Sequence, residues 1–72
     1  MPSTPAQLGV AIAGLREKRG LSIETLAAAA GIHFTYLSKI ENGRGNPSWK
    51  VVGNLAKELG VEIAELDQLA RA

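Results

Sequence analysis

The chain has 72 residues, 46% of them hydrophobic and 21% charged, which is the balance of one small globular domain rather than of a disordered segment. It contains no cysteine and one histidine, so a disulfide framework, a thiolate zinc site and a histidine metal cluster are excluded. The net charge is +1, but residues 1–50 carry six basic and three acidic side chains, whereas residues 51–72 carry two basic and four acidic ones. This distribution favours a polyanionic partner on one side of the molecule.

The sequence shows no sign of membrane insertion or secretion. No apolar run approaches the roughly 20 residues that a membrane-spanning helix needs. The N-terminal stretch MPSTPAQLG lacks the basic and apolar regions of a secretion signal. We therefore expect a cytoplasmic protein with no membrane partner.

Glycines divide the chain into five short segments, each with apolar residues at helical spacing and none with the alternation of a strand. The dividing glycines are Gly20, Gly31, Gly43, Gly45 and Gly60. The sequence therefore predicts an all-α fold of five helices in one domain, residues 1–72, with its core at about residues 5–70.

The first helix is predicted to begin after Thr4, because Thr4 is a good cap, Pro5 suits the first helical position and Gln7 completes a capping box. Apolar residues then recur at helical spacing and predict a buried stripe: Leu8, Ile12 and Leu15. Gly9 and Gly14 each weaken a helix by about 1 kcal/mol relative to alanine. They therefore indicate places where another part of the backbone approaches closely.

The second helix, SIETLAAAA, is predicted to begin after Ser22 and to end at Gly31, which suits a left-handed stop. The third helix follows this turn directly, at about residues 33–42. Two short helices joined by a glycine-containing turn form the helix-turn-helix pattern. Leu37 and Ile40 would face inward. The opposite face would offer one ring, two hydroxyls and one cation to a partner: Phe34, Thr35, Ser38 and Lys39.

The fourth helix is predicted at about residues 48–59, with either Ser48 as its cap or Asn46 as cap and Pro47 at the first position. Its inward residues would be Val52, Leu55 and Leu59. The fifth helix is predicted at about residues 62–70. Its apolar side is made of Ile63, Leu66 and Leu69. Because so small a domain cannot bury every apolar side chain alone, these three residues are the predicted dimer interface.

The stretches LREKRGLS, YLSKIENG, NPS and LAKELGV occur in this order and spacing, and together they resemble the phage-repressor and Cro-like helix-turn-helix family, also called the xenobiotic-response-element type. The similarity runs from about Leu8 to Leu66. It implies a compact five-helix domain like that of lambda repressor, commonly a homodimer without a cofactor. It also implies a sequence-specific regulator of transcription, a repressor or autoregulator, that binds a pseudo-palindromic operator in double-stranded DNA.

The same resemblance implies roles for individual residues. The third helix becomes the recognition helix in the major groove. Its base-contacting positions are held here by His33, Phe34, Thr35 and Lys39. Positions that hold the phosphate backbone are occupied by Ser22, Asn42, Arg44 and Asn46. Arg16 and Glu41 match a pair that commonly forms a structural ion pair between the first helix and the end of the third.

The residue types agree with DNA contact, since a major groove is read by donors, acceptors and groups that touch thymine methyls. Lys39 is able to donate to guanine, Thr35 and Ser38 carry hydroxyls, and Phe34 suits a thymine methyl. Tyr36 is predicted to be half buried, with its hydroxyl reaching a phosphate. The alternatives are a buried Phe34, a solvated Lys39 and a His33 that caps the helix. Trp49 is predicted to pack at the start of the fourth helix.

At two positions the chain departs from the family pattern, so the DNA bases that family members recognise cannot be assigned directly to this chain. Ile23 stands where the family usually has glutamine, which removes a hydrogen bond to phosphate, and Phe34 stands where glutamine or arginine is common. The alternative function is therefore an antitoxin-like or other protein-interaction module with weak or no DNA binding. An enzyme is not expected. The chain has one histidine as a possible partner for a nucleophilic serine, and no sequence motif of a catalytic triad or of a phosphate-binding glycine loop occurs.

Overall fold

The computed structural model describes residues 3–72, so residues 1 and 2 of the predicted domain lie outside the described part. Five α-helices make up the fold: α1 (Pro5–Lys18), α2 (Ile23–Ala30), α3 (Phe34–Glu41), α4 (Trp49–Glu58) and α5 (Ile63–Arg71). The predicted all-α class is confirmed, and residues 3–72 contain no strand. None of the helices in this range has the length and apolar character needed to cross a bilayer.

Side-chain caps mark the start of the first four helices, whereas α5 begins after Glu62 without one. The Gln7 N–H donates to the Thr4 hydroxyl at 3.1 Å and the Thr4 N–H donates to the Gln7 side chain at 2.9 Å, so the predicted capping box is present. For α4 the Val51 N–H donates to the Ser48 hydroxyl at 3.2 Å. Ser48 is therefore the cap, and the Asn46 alternative is wrong.

The core is a single apolar cluster to which every helix contributes. Its side chains of near-zero exposure are Ile12, Leu26, Leu37, Ile40, Leu55, Leu59 and Leu66. Helix α1 packs against α3 and α5, and α2 packs against α3 and α4. Of the predicted stripe on α1, only Ile12 is fully enclosed, and its two neighbours in the stripe are partly buried at the rim of the core.

Leu66, one of the three residues predicted for the dimer interface, lies in the core of the single chain. Its side chain is 0% exposed within the single chain, so it closes the monomer core. Leu69, on the same helix, is 47% exposed and Ile63 is partly buried. The mismatch arises because α5 turns one edge of its apolar side toward α1 and α4 and leaves the other edge outside.

The two glycines of α1 have different surroundings. A Cβ added to Gly9 would collide with the carbonyl oxygens of Ile40 and Glu41, the latter at 2.7 Å, because α1 crosses the C-terminal end of α3 at this point. A Cβ on Gly14 would meet nothing within 4 Å. The predicted close approach is therefore confirmed at Gly9 and wrong at Gly14.

A hydrogen bond ties the start of the described chain to the last helix. The Ser3 N–H donates to Asp67 Oδ1 at 2.7 Å, and Arg71 pairs with the same carboxylate at 3.0 Å. The Ser3 N–H lowers the pKa of Asp67 below its ordinary value. The contribution of this contact to stability is complete above the unfolded-state pKa of about 4 and is lost as the pH falls through the lower folded-state pKa.

The two glycines give opposite predictions for the free energy of unfolding. Gly9→Ala should destabilise the fold by about 1–3 kcal/mol, because the new methyl group forces α1 away from α3. Gly14→Ala should stabilise it by about 0.5–1 kcal/mol through higher helix propensity. Urea unfolding followed by circular dichroism measures both. Equal shifts in the two variants would contradict the close approach at Gly9.

Candidate nucleic-acid interface

Helices α2 and α3 are joined by a tight turn of defined geometry. Gly31 adopts φ 76° and ψ 29°, the left-handed conformation that ends α2. The Ile32 N–H then donates to the Ala27 carbonyl at 2.9 Å, and Ile32 packs against the core. Helix α3 begins three residues after the turn glycine, at Phe34. The predicted helix-turn-helix arrangement is therefore present.

Helix α3 has one face in the core and one outside it. Leu37 and Ile40 are 0% and 2% exposed, which anchors the helix. The opposite face lines an open groove between α2 and α3, together with the start of α2 and the loop after α3. The groove is lined by Arg16, Ser22, Ile23, Glu24, Phe34, Thr35, Ser38, Lys39, Asn42 and Arg44.

Phe34 is 49% exposed, so the prediction of an outward ring is confirmed and the buried alternative is wrong. Its ring stacks on the imidazole of His33, with centroids 4.5 Å apart and an angle of 26° between the planes. His33 is the N-cap of α3, since its Nδ1 accepts the Thr35 N–H at 3.1 Å. The capping role expected for His33 is thus confirmed, and the two aromatic residues form one exposed surface at the start of the helix.

The groove carries positive charge that no protein group neutralises. Among residues 3–72, neither Lys39 nor Arg44 has a carboxylate within ion-pair distance. The Arg44 N–H donates to the Lys39 carbonyl at 2.9 Å, which fixes the loop directly beneath α3. Glu24 lies on the same groove and opposes an anionic ligand. On balance the groove lining favours an anion, because the two free cations outnumber this carboxylate.

The other predicted phosphate-binding residues occupy different surroundings. Ser22 caps α2, accepting the Thr25 N–H at 3.0 Å, and Asn42 donates to the Ser38 carbonyl at 2.9 Å while remaining exposed. Tyr36 is half buried against the core, as predicted, and does not line the groove. Asn46 lines a separate cleft instead. The structure therefore brings two of these four residues to the groove.

Arg16 and Glu41 form the predicted ion pair. The Arg16 Nε donates to Glu41 Oε2 at 2.7 Å and Nη2 donates to Oε1 at 3.1 Å, while Nη1 donates to the Leu21 carbonyl at 2.8 Å. Both side chains are largely buried, with 13% and 7% exposed. The hydrogen bond with Glu41 raises the pKa of Arg16 above its ordinary value, and partial burial acts against this. The pair fixes the end of α3, and three of the five guanidinium N–H groups donate to protein acceptors.

The profile of the helix-turn-helix family HTH_3 matches residues 12–66. The chain belongs to this helix-turn-helix family. The match covers α2, the turn and α3 entirely, and it confirms the resemblance expected from the sequence motifs. HTH_3 is a family of transcription regulators rather than of enzymes. Within residues 3–72 no group of His, Asp or Glu side chains is arranged to hold a metal ion.

Several known proteins resemble this chain in sequence. The HTH-type transcriptional regulator DdrOP3 of Deinococcus deserti is 42% identical over 52 residues, which are 72% of this chain and 40% of that protein. The control protein C.MunI of a Mycoplasma species is 39% identical over 51 residues, which are 71% of this chain and 69% of that protein. The chain thus spans less than half the length of the Deinococcus regulator.

Solved structures of family members agree with the fold. The restriction-modification controller protein C.AhdI from Aeromonas hydrophila superposes with a TM-score of 0.83 at 35% identity, covering 86% of this chain and 94% of that one. The clp gene regulator ClgR from Corynebacterium glutamicum superposes with a TM-score of 0.90 at 28% identity, covering 93% of this chain and 71% of that one. The predicted five-helix architecture is confirmed.

Trp49 lies at the start of α4, as predicted, and its ring is largely outside the core. It is 66% exposed and lines a cleft of about 240 Å³ with Pro5, Pro47, Ile63 and Asp67. Because it is the first residue of α4 and side chains lean toward the N-terminal end of a helix, it extends past the edge of the core.

The ion pair gives a prediction about stability. Glu41→Ala should lower the free energy of unfolding by about 2–3 kcal/mol, because it leaves the Arg16 guanidinium largely buried without its charged partner. Glu17→Ala is the matched control, since Glu17 lies 3.9 Å from the same guanidinium but is 71% exposed, and it should change stability little. Urea unfolding of both variants measures the difference. Equal losses would contradict a structural role specific to Glu41.

Proposed function

We propose that this chain is a sequence-specific regulator of transcription that binds double-stranded DNA as a homodimer, with α3 in the major groove. Membership of the HTH_3 family and relatives named as transcriptional regulators support the regulatory role. Repression or autoregulation is the mode that fits the controller-type relatives.

The observation that carries the proposal is the exposed face of α3. An α-helix with its side chains is about 10–12 Å across, and a major groove about 12 Å wide admits it. Thr35, Ser38 and Lys39 offer hydrogen bonds along this helix, and Phe34 offers an apolar ring for a thymine methyl. The helix is already anchored by its opposite face, so binding requires little ordering.

Phosphate contact is assigned to the rim of the same groove. Ser22 lies at the start of α2 and Asn42 at the end of α3, and Arg44 follows in the loop, where no carboxylate of residues 3–72 lies within ion-pair distance of it. Cations at the rim supply affinity that does not depend on the DNA sequence. The side chains of α3 contact bases and so determine which DNA sequence is preferred. Tyr36 and Asn46 remain candidates for phosphate contact outside the groove.

The dimensions of the molecule support a homodimer. The chain measures 29 × 22 × 19 Å and has one recognition helix, whereas successive major grooves lie about 34 Å apart. Two copies related by a two-fold axis would read both half-sites of a pseudo-palindrome. For the contact between them we propose the outer edge of α5 with the start of α4, through Leu69, Ile63 and Trp49.

A protein partner is the second candidate. One structural neighbour, a SinR protein/SinI protein complex, superposes with a TM-score of 0.78 at 33% identity over 82% of this chain and 58% of that one. The apolar cleft beside Trp49 would suit such a partner. In this case α3 would have weak affinity for DNA or none.

Salt dependence of binding separates the two functions. We expect fluorescence anisotropy with duplexes selected from a random pool to show an affinity that falls about two to three decades between 50 and 200 mM salt, as about four to six phosphate contacts per dimer require. Affinity independent of salt, or no selected sequence at all, would reject DNA binding and leave the protein-partner function.

Lys39 and Arg44 should affect DNA binding in different ways. Lys39→Ala should weaken the best site roughly 5- to 140-fold and relax preference at one position, because a base contact is lost. Arg44→Ala should weaken all sequences alike and reduce the salt slope by about 1 per protomer, because a phosphate contact is lost. Titrations of selected and scrambled duplexes measure both. Identical behaviour of the two variants would contradict the division between groove and rim.

Leu69→Asp should convert the dimer to a monomer without loss of helicity, because Leu69 is outside the core and a charge there opposes apolar contact. Val10→Asp is the matched control: Val10 is 71% exposed on α1 and should leave the dimer intact. Analytical ultracentrifugation gives the oligomeric state and circular dichroism the helicity. Dissociation by Val10→Asp alone would place the interface on α1.

A further inference from the structure

The imidazole of His33 is held in one tautomer by the helix that it caps. Its Nδ1 accepts the Thr35 N–H at 3.1 Å, so Nδ1 must carry a lone pair rather than a proton. In a neutral imidazole one nitrogen is then the acceptor and the other the donor. The proton of His33 therefore lies on Nε2 whenever the ring is neutral and the cap is formed.

A second contact fixes the plane of the same ring. The Phe34 ring stacks on it at a centroid distance of 4.5 Å with 26° between the planes. One restraint acts on a ring nitrogen and the other on the ring face, so the imidazole is oriented before any ligand arrives. A donor that is oriented in advance loses less conformational entropy on binding.

The free nitrogen points away from the protein. The two nitrogens of an imidazole direct their lone pair and proton roughly opposite ways, and Nδ1 is turned toward the first turn of α3. His33 is exposed, and among residues 3–72 its side chain makes one hydrogen bond, the capping one. Nε2–H is thus an unused donor at the N-terminal end of the recognition helix, the end from which such helices contact bases.

We propose that His33 determines specificity by donating its Nε2–H to an acceptor on one base edge in the major groove. Guanine offers N7 and O6, adenine offers N7 and thymine offers O4, whereas cytosine presents its N4–H₂ donor. The contact therefore discriminates against cytosine at one position of each half-site. This inference rests on the proposed function, because it deepens the role of α3 in DNA.

The tautomer is tested without DNA. Long-range ¹H–¹⁵N spectra of the neutral imidazole distinguish a protonated Nε2 from a protonated Nδ1. We expect Nε2–H to predominate in the wild-type chain. In Thr35→Pro, which removes the capping N–H, the share of Nδ1–H should rise toward that of a histidine in an unfolded peptide, in which Nε2–H is already the commoner form. A predominant Nδ1–H in the wild-type chain would overturn the proposal.

The base contact is tested with His33→Ser, because serine retains a side-chain cap for α3 but has no donor that reaches as far. His33→Ala, which removes both cap and donor, is the matched control for the cap. On a selected duplex we expect His33→Ser to bind roughly 5- to 140-fold more weakly than wild type. It should also lose discrimination against cytosine at one position per half-site and keep it at the others.

Three outcomes would contradict this assignment. Unchanged binding by His33→Ser removes His33 from the interface, and an equal loss on all sequences makes it a phosphate contact. Retained discrimination against cytosine at every position assigns that selectivity to another residue. If the wild-type chain prefers no sequence, the proposed function itself fails, while the NMR result still decides the tautomer.

Discussion

The guanidinium of Arg16 joins three parts of the chain that the sequence keeps apart. It reaches from α1 to the carboxylate of Glu41 at the end of α3 and to the carbonyl of Leu21 before α2. Since both charges are largely withdrawn from water, each depends on the other for compensation. This contact acts together with the burial of Leu37 and Ile40 to set the position of α3 relative to α1 and α2, and with it the shape of the groove.

The same ion pair decides which charges remain for a ligand. It removes the only carboxylate of α3 from the surface, so that Lys39 and Arg44 stand without an acidic neighbour on that helix. Gly9 permits this arrangement, because α1 must lie against the carbonyl oxygens at the end of α3 for Arg16 to reach Glu41. The crossing of α1 and α3 at Gly9 therefore has two results: the two helix backbones pack closely, and the positive charges of Lys39 and Arg44 stay exposed.

The sequence predicted the helices well because their ends are coded locally. Thr4 and Ser22 cap from their own positions, and Gly31 needs only its freedom to adopt a positive φ. What it could not predict depends on tertiary neighbours: Leu66 lies in the monomer core rather than outside it, and nothing approaches Gly14. The outward face of α3 was predictable from the helical spacing of its apolar residues alone. The ion pair between Arg16 of α1 and Glu41 of α3 was predictable only from the family resemblance.

The exposed Trp49 gives the molecule a natural optical probe. It is the only tryptophan in the chain, and it lies beside the cleft of α4 and α5 rather than in the groove of α3. Its emission wavelength and its accessibility to a soluble quencher therefore respond to what covers that cleft. Changes in self-association can be followed in the unlabelled protein at concentrations where a dye on α3 would disturb the surface under study.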